Sequence, residues 1–222
     1  RELLATAEVP GGAPLRLVRH DRDFIIMLER NELMSSRMSG SETAFGTMTC
    51  DRLRPAQSPR LLVGGYGMGF TLRAILGRVS PDAQVTVAEL VPDIIAWARG
   101  PMADLADGCM DDPRVRIEIA DVADAIAARR TAYDAILLDV DNGPDGLTRQ
   151  ANDRLYSAPG LARVRQALRP GGILSVWSAG DDPAFTHALK KTGFDVEVVQ
   201  VRARENGKGP IHTLWFARAP SR

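Results

Sequence analysis

Short apolar runs alternate with amphipathic stretches from Arg60 to about Leu189. The runs at 61–63, 85–88, 115–119, 135–138 and 173–177 are rich in Val, Ile and Leu, as expected of strands buried on both faces of a parallel sheet. Between them, Pro92-Asp-Ile-Ile-Ala-Trp-Ala-Arg99 opens with proline at a first-turn position. It sets Ile94, Ile95 and Ala98 on one face, which predicts a helix. Stretches 122–130 and 161–168 read the same way, and the second stops at Pro170-Gly171-Gly172. Strands and helices in alternation with short links predict a doubly wound α/β domain.

Both ends of the chain depart from that rhythm. Runs 195–201 and 213–217 are strand-like, and the polar turn 204–210 between them leaves no room for a crossover helix. The pair must therefore be antiparallel. The expected sheet is Rossmann-like and seven-stranded, mostly parallel, with a C-terminal antiparallel hairpin. Near the start, 15–18 and 24–28 flank His20-Asp-Arg-Asp23 and predict a β-hairpin. A small-residue loop is expected over 33–41 and a helix over 42–53. This divides the chain into a small N-terminal hairpin and helix region, 1–53, and a ligand-binding domain, 54–222.

The chemistry gathers where strands end. The first strand breaks into Gly64-Gly65-Tyr66-Gly67-Met68-Gly69 and leads into a helix, a turn whose backbone can approach a ligand. The second strand ends at Glu89, with Leu90 beside it, where nucleotide-binding folds place the acceptor of ribose hydroxyls. The third ends at Asp121 and Val122, and the fourth at Asp139, followed by Asp141 and Asn142. Each carboxylate alone also reads as a helix cap or a solvated loop acid, and for Asp121 the cap is an equal alternative. Together on the carboxyl edge of one sheet they point to a bound nucleoside. Glycine loops of this kind serve NAD, FAD and S-adenosylmethionine alike. An acid after the third strand favours the last, since it commonly meets the adenine amino group there.

Composition narrows the partners. In 222 residues, 28 basic side chains balance 28 acidic ones, so no global field favours nucleic acid or an anionic membrane. No apolar stretch reaches the roughly 20 residues of a membrane helix. Cys50 and Cys109 make neither a disulfide framework nor a metal cluster, and a cytoplasmic setting is expected. His20, His187 and His212 show no ligand or triad spacing, so no metal is expected and no catalytic role is given to them.

The glycine loop through Thr71-Leu72-Arg73, Glu89 with Pro92, Asp112-Pro113-Arg114-Val115, Asp121, the Asp139 loop and Pro170-Gly171-Gly172-Ile173 resemble the spermidine synthase superfamily. The resemblance runs from about Glu32 to Arg218. It implies a small N-terminal β-domain, a methyltransferase-type nucleotide-binding domain and a homodimer. It also implies aminopropyl transfer from decarboxylated S-adenosylmethionine to putrescine, while close relatives of the same fold transfer methyl. The family's loop aspartate, which pairs with the donor's ammonium, is here replaced by the uncharged Tyr66-Gly67-Met68. The family's pre-core motif aligns with Ser41-Glu42-Thr43-Ala44-Phe45-Gly46-Thr47-Met48, and its catalytic loop with Asp139-Val140-Asp141-Asn142.

An uncharged loop leaves the helix N-terminus open to the carboxylate of intact S-adenosylmethionine. The expectation is therefore a transferase that leans to methyl transfer onto a small-molecule acceptor, with an amine among the candidates. The alternatives are a spermidine-synthase-type aminopropyltransferase and a non-catalytic nucleoside-binding relative. Gly65, Tyr66, Gly67, Met68, Gly69, Glu89, Leu90, Asp121, Val122 and Asp139 are the expected donor-binding set. Asp139, Asp141 and Asn142 are the expected catalytic set, with Asp139 first choice to orient an amine and take its proton. Glu42, Phe45 and Tyr156 are expected at the acceptor.

Overall fold

Leu61 and Val63 face one side of the main sheet while Leu62, between them, faces the other, and the same alternation fixes where every helix docks. The computed structural model describes residues 1–139 and 154–221. The main sheet holds β5 (Arg60–Gly64), β6 (Gln84–Glu89), β7 (Val115–Ile119), β8 (Tyr133–Leu138), β9 (Leu168–Ser178), β10 (Asp195–Arg202) and β11 (Ile211–Arg218). Their order is β10-β11-β9-β8-β5-β6-β7. Strand β11 runs antiparallel to both its neighbours, and the other described pairs in this sheet are parallel. The expected seven-stranded arrangement with a C-terminal antiparallel hairpin is what the chain forms.

Strand order reverses at β5, which pairs with β6 on one side and β8 on the other. A crevice at the carboxyl ends of the strands opens at such a switch point. On one face, helices α1 (Gly40–Asp51), α2 (Phe70–Leu76), α3 (Pro92–Arg99) and α4 (Ala103–Ala106) cover Leu61, Val63, Val87, Ala135 and Leu137. On the other, α5 (Val122–Ala127), α6 (Ala158–Ala167) and α7 (Pro183–Lys191) cover Leu62, Ile136, Leu138, Leu174 and Trp215. Each fully buried leucine or isoleucine here contributes roughly 2 kcal/mol of transfer free energy. Helices α1 and α2 cross at Gly46, where a Cβ would come within 2.7 Å of the Thr71 carbonyl oxygen.

The N-terminal part is larger than a hairpin. Strands β1 (Glu2–Ala7), β2 (Leu15–His20), β3 (Asp23–Leu28) and β4 (Asn31–Ser35) form a separate antiparallel sheet in sequence order. The first three residues of the expected 33–41 loop, Leu33, Met34 and Ser35, belong to β4, and a 3-10 turn at Ser36–Met38 follows. Strand β1 escapes a reading by alternation because Leu3, its largest apolar side chain with Leu4, is 59% exposed. In α3 the buried face is Ile94, Trp97 and Ala98, with Ile95 at its margin. The Pro170-Gly171-Gly172 stop becomes an irregularity inside β9, with Gly171 at φ 73°. No described helix is long and apolar enough to cross a membrane.

Candidate active site

The loop after β5 is held by its own glycines. Gly65, Gly67 and Gly69 take φ values of 85°, 57° and 84°, which side chains rarely tolerate. The Gly65 N–H donates to the Ala88 carbonyl at 2.8 Å and pins the loop to β6. At Gly67 a Cβ would lie 2.8 Å from the Met34 methyl, so β4 of the small sheet roofs the loop there. Tyr66 folds back under Gly69, 5% exposed, with its phenol 3.6 Å from Cys109 Sγ. Met68 is 1% exposed. Both side chains belong to the core, and what Tyr66 and Met68 offer a ligand is backbone.

Glu89 closes the loop from β6. Its Oε2 accepts the Tyr66 N–H at 2.8 Å and its Oε1 accepts the Val91 N–H at 2.9 Å. Burial raises its pKa, against the lowering effect of these backbone donors. The carboxylate thus fixes the loop's shape, and each oxygen keeps a lone pair for a hydroxyl donor. Leu90 beside it is exposed.

Asp121 caps α5, its Oδ1 accepting the Ala123 N–H at 2.8 Å. Its Oδ2 accepts from Arg154 Nη1 at 2.8 Å, and the same guanidinium reaches Asp124. Val122 is buried against the Gly64 Cα, where a Cβ would meet it at 3.0 Å. Sequence reasoning missed Arg154, whose partners lie 33 and 30 residues away.

Asp139 follows β8 directly, with its N–H donating to the Gly64 carbonyl at 3.4 Å. Burial pushes its carboxyl up to about 7. Glu42, from the first turn of α1, is buried, and its pKa is raised by burial and then by the Asp139 charge. Among the described residues neither carboxylate has an arginine or lysine ion-pair partner. Two like charges with no described counter-cation in a poorly solvated place would be stabilised by a cation.

The other two expected acceptor residues are placed elsewhere. Phe45 is 0% exposed in the core between α1 and the sheet, so its ring presents no face to the crevice. Tyr156 is buried in the opposite core, edge-on to Phe185 with centroids 5.4 Å apart. Both are packing aromatics: an apolar ring gains most by burial in a core. Asp141 and Asn142 lie outside the described residues. Ser178, at the end of β9, accepts the Gly180 N–H at 3.3 Å.

A second group at the same edge had no signal in the sequence. Ser41 Oγ lies 2.8 Å from His212 Nδ1 and accepts the Trp177 indole N–H at 3.1 Å. The indole and imidazole stack edge-on at 4.6 Å.

Residues 53–200 match the Spermine/spermidine synthase domain. The chain belongs to that family. Among curated members, a polyamine aminopropyltransferase of Hyperthermus butylicus is 32% identical over 190 residues, 84% of this chain and 63% of that protein. One from a Synechococcus species is 28% identical over 128 residues, covering 58% and 40%. One from Mycobacterium tuberculosis is 33% identical over 119 residues, covering 52% and 22%. The chain therefore spans less than two thirds of the length of these relatives. The solved spermidine synthase of Thermotoga maritima superposes with a TM-score of 0.75 at 17% identity, over all of this chain and 73% of that one. A spermidine synthase in complex with the transition-state analogue AdoDATO gives 0.74 at 18%, with the same coverage.

As a spermine/spermidine synthase family member, the chain keeps the fold, and three of its described motif departures, Phe45, Tyr66 and Met68, sit in the core. Phe45 and Met68 fill space inside, and Gly46 lets α1 meet α2. The two acids that remain are Glu42 and Asp139, and the charge of the second raises the pKa of the first.

Proposed function

We propose that this chain transfers an aminopropyl group from decarboxylated S-adenosylmethionine to a small amine acceptor, as in polyamine biosynthesis. The observation that carries the reading is the Glu42–Asp139 pair, a buried and a half-buried carboxylate without a described counter-cation. The decarboxylated donor brings a sulfonium and an ammonium, and a diamine acceptor brings further positive charge. Intact S-adenosylmethionine would bring a third carboxylate toward the same place, at a cost in repulsion. The kinship with curated aminopropyltransferases supports the same choice over the methyl transfer expected from the uncharged loop. That lack of charge has a packing cause, because Tyr66 and Met68 point into the core.

In this reading the backbone of Gly65–Gly69 cradles the donor, Glu89 accepts ribose hydroxyls and Asp121 meets the adenine amino group. Region 1–53 contributes Met34 and Glu42 to a site otherwise built by 54–222. The acceptor nitrogen attacks as the neutral amine on the carbon next to sulfur. The new C–N bond forms as the C–S bond breaks, and sulfur keeps the electron pair as a neutral thioether. The proton lost by nitrogen passes to Asp139, whose pKa of about 7 suits a base working near neutral pH. Holding two cations against the paired carboxylates supplies proximity and keeps water away.

The test is turnover of decarboxylated donor with putrescine, read by mass spectrometry of the acceptor. Asp139→Asn is expected to lower kcat by about a hundredfold or more at saturating donor. No turnover of any amine by the unaltered protein, with donor affinity intact, would instead favour a nucleoside-binding relative without catalysis.

A further inference from the structure

We infer that Ser41, Trp177 and His212 form a positioning network that sets the carboxylate of Glu42 against Asp139. The inference rests on the aminopropyl-transfer reading for what Glu42 binds, but not for where Glu42 is held.

Helix α1 does not hold its own start. Its N-cap residue, Ser39, makes no side-chain capping bond, so the exposed N–H groups of the first turn need partners from elsewhere. The Gly40 N–H finds the Ala203 carbonyl at 2.9 Å. A Cβ on Gly40 would sit 2.5 Å from the Arg204 carbonyl carbon, so this backbone is seated directly on the link between β10 and β11. Ser41 then ties the turn to the ends of β9 and β11 through Trp177 and His212. Glu42 is the next residue, and its direction follows from where this turn is docked.

The bonding pattern is directional. An indole N–H can only donate, so Ser41 Oγ accepts from Trp177 and its own proton is free for His212 Nδ1. That requires neutral His212, and burial lowers the imidazole pKa in the same direction. A serine beside a histidine at 2.8 Å also has the look of a nucleophile and its base. Here Ser41 is 0% exposed and its oxygen already accepts the indole proton, so no substrate atom can reach it. Geometry therefore leaves it an orienting task. His212→Leu removes the acceptor for Ser41 and frees the turn. Asn at 212 can offer an amide oxygen near the place of Nδ1 and restore it.

The experiment compares Ser41→Ala, His212→Leu and His212→Asn by steady-state kinetics with putrescine, donor calorimetry, and a carbon-13 titration of the Glu42 carboxyl. The carboxyl signal is assigned by its loss in Glu42→Gln. Expected results for Ser41→Ala and His212→Leu are an acceptor KM raised about tenfold, a weakened preference for the decarboxylated over the intact donor, kcat within threefold of the parent, and a Glu42 midpoint moved down toward the ordinary range. His212→Asn is expected to return both KM and midpoint. Ser41→Ala, the smaller change, carries the test if His212→Leu does not fold. An unmoved Glu42 midpoint in both disruptive variants, or His212→Asn behaving like His212→Leu, would overturn the network's role. The midpoint is read without turnover, so a parent protein that transfers nothing sinks the functional reading and leaves this one decided separately.

Discussion

Asp139 pushes up the pKa of Glu42, a carboxyl already raised by burial, and burial holds Asp139 itself at about 7. Both groups are raised above the ordinary carboxylate range, so the native protein binds more protons than the unfolded chain between about pH 4 and 7. Its stability accordingly falls as pH rises through that window. Asp139→Asn removes one of the two charges. Since Asp139 is only partly buried, the gain is discounted to about 1 kcal/mol, or roughly 2–4 °C in Tm at pH 8. At pH 5 the gap should shrink. Thermal melts of both proteins at the two pH values check this, and an equal gap at both would contradict it.

Gly67→Ala combines a left-handed backbone with a Cβ 2.8 Å from the Met34 methyl. The expected cost is about 1–2 kcal/mol of stability, together with weaker donor binding because the loop must shift. Met34→Ala in the same background relieves the contact but not the backbone strain, so it should recover part of the loss. Donor calorimetry on the single and double variants measures the recovery, and none at all would show that Met34 does not press on the loop.

Glu89→Gln tests the loop latch. The carboxylate gives one oxygen to Tyr66 N–H and the other to Val91 N–H, and an amide has only one acceptor oxygen. One backbone donor is then left buried against an NH₂ group, at a cost of about 1–3 kcal/mol. Denaturant unfolding should show that loss without donor present, and donor affinity should fall further.

Arg52 joins the end of α1 to the edge of the sheet. It makes two bonds of 2.8 Å to Glu197, donates to the Met48 carbonyl and lies 4.2 Å from the Phe216 ring centroid. Glu197→Gln loses only an exposed ion pair and should cost under about 1 kcal/mol. Arg52→Ala also loses the ring contact and the carbonyl bond and should cost about twice as much. Equal effects in urea unfolding would mean the ion pair alone matters.

The strands of the main sheet were legible because burial on both faces leaves Val, Ile and Leu little competition, as at 61–63 and 135–138. Glycines at 65, 67 and 69 announced their turn because only glycine accepts those φ values cheaply. The small sheet was half legible. Leu3 is exposed and β4 is short and half polar, so neither edge strand carries a clean alternation. Side-chain direction was the larger loss. Tyr66, Met68, Phe45 and Tyr156 stood at plausible site positions, yet sequence position does not say which way a ring or thioether points. Ser41 meets Trp177 and His212 across 136 and 171 residues, a distance no local spacing can encode. Glu42 and Asp139 were each named from motifs, but their mutual repulsion is a property of the folded chain alone.

The most direct measurement is calorimetric titration of the protein with decarboxylated and with intact S-adenosylmethionine under the same conditions. Paired carboxylates at Glu42 and Asp139 predict at least about tenfold tighter binding of the decarboxylated donor, with the preference weakened in Glu42→Gln and in Asp139→Asn. Equal or tighter binding of the intact donor, unchanged by either substitution, would contradict aminopropyl transfer as the function of this chain.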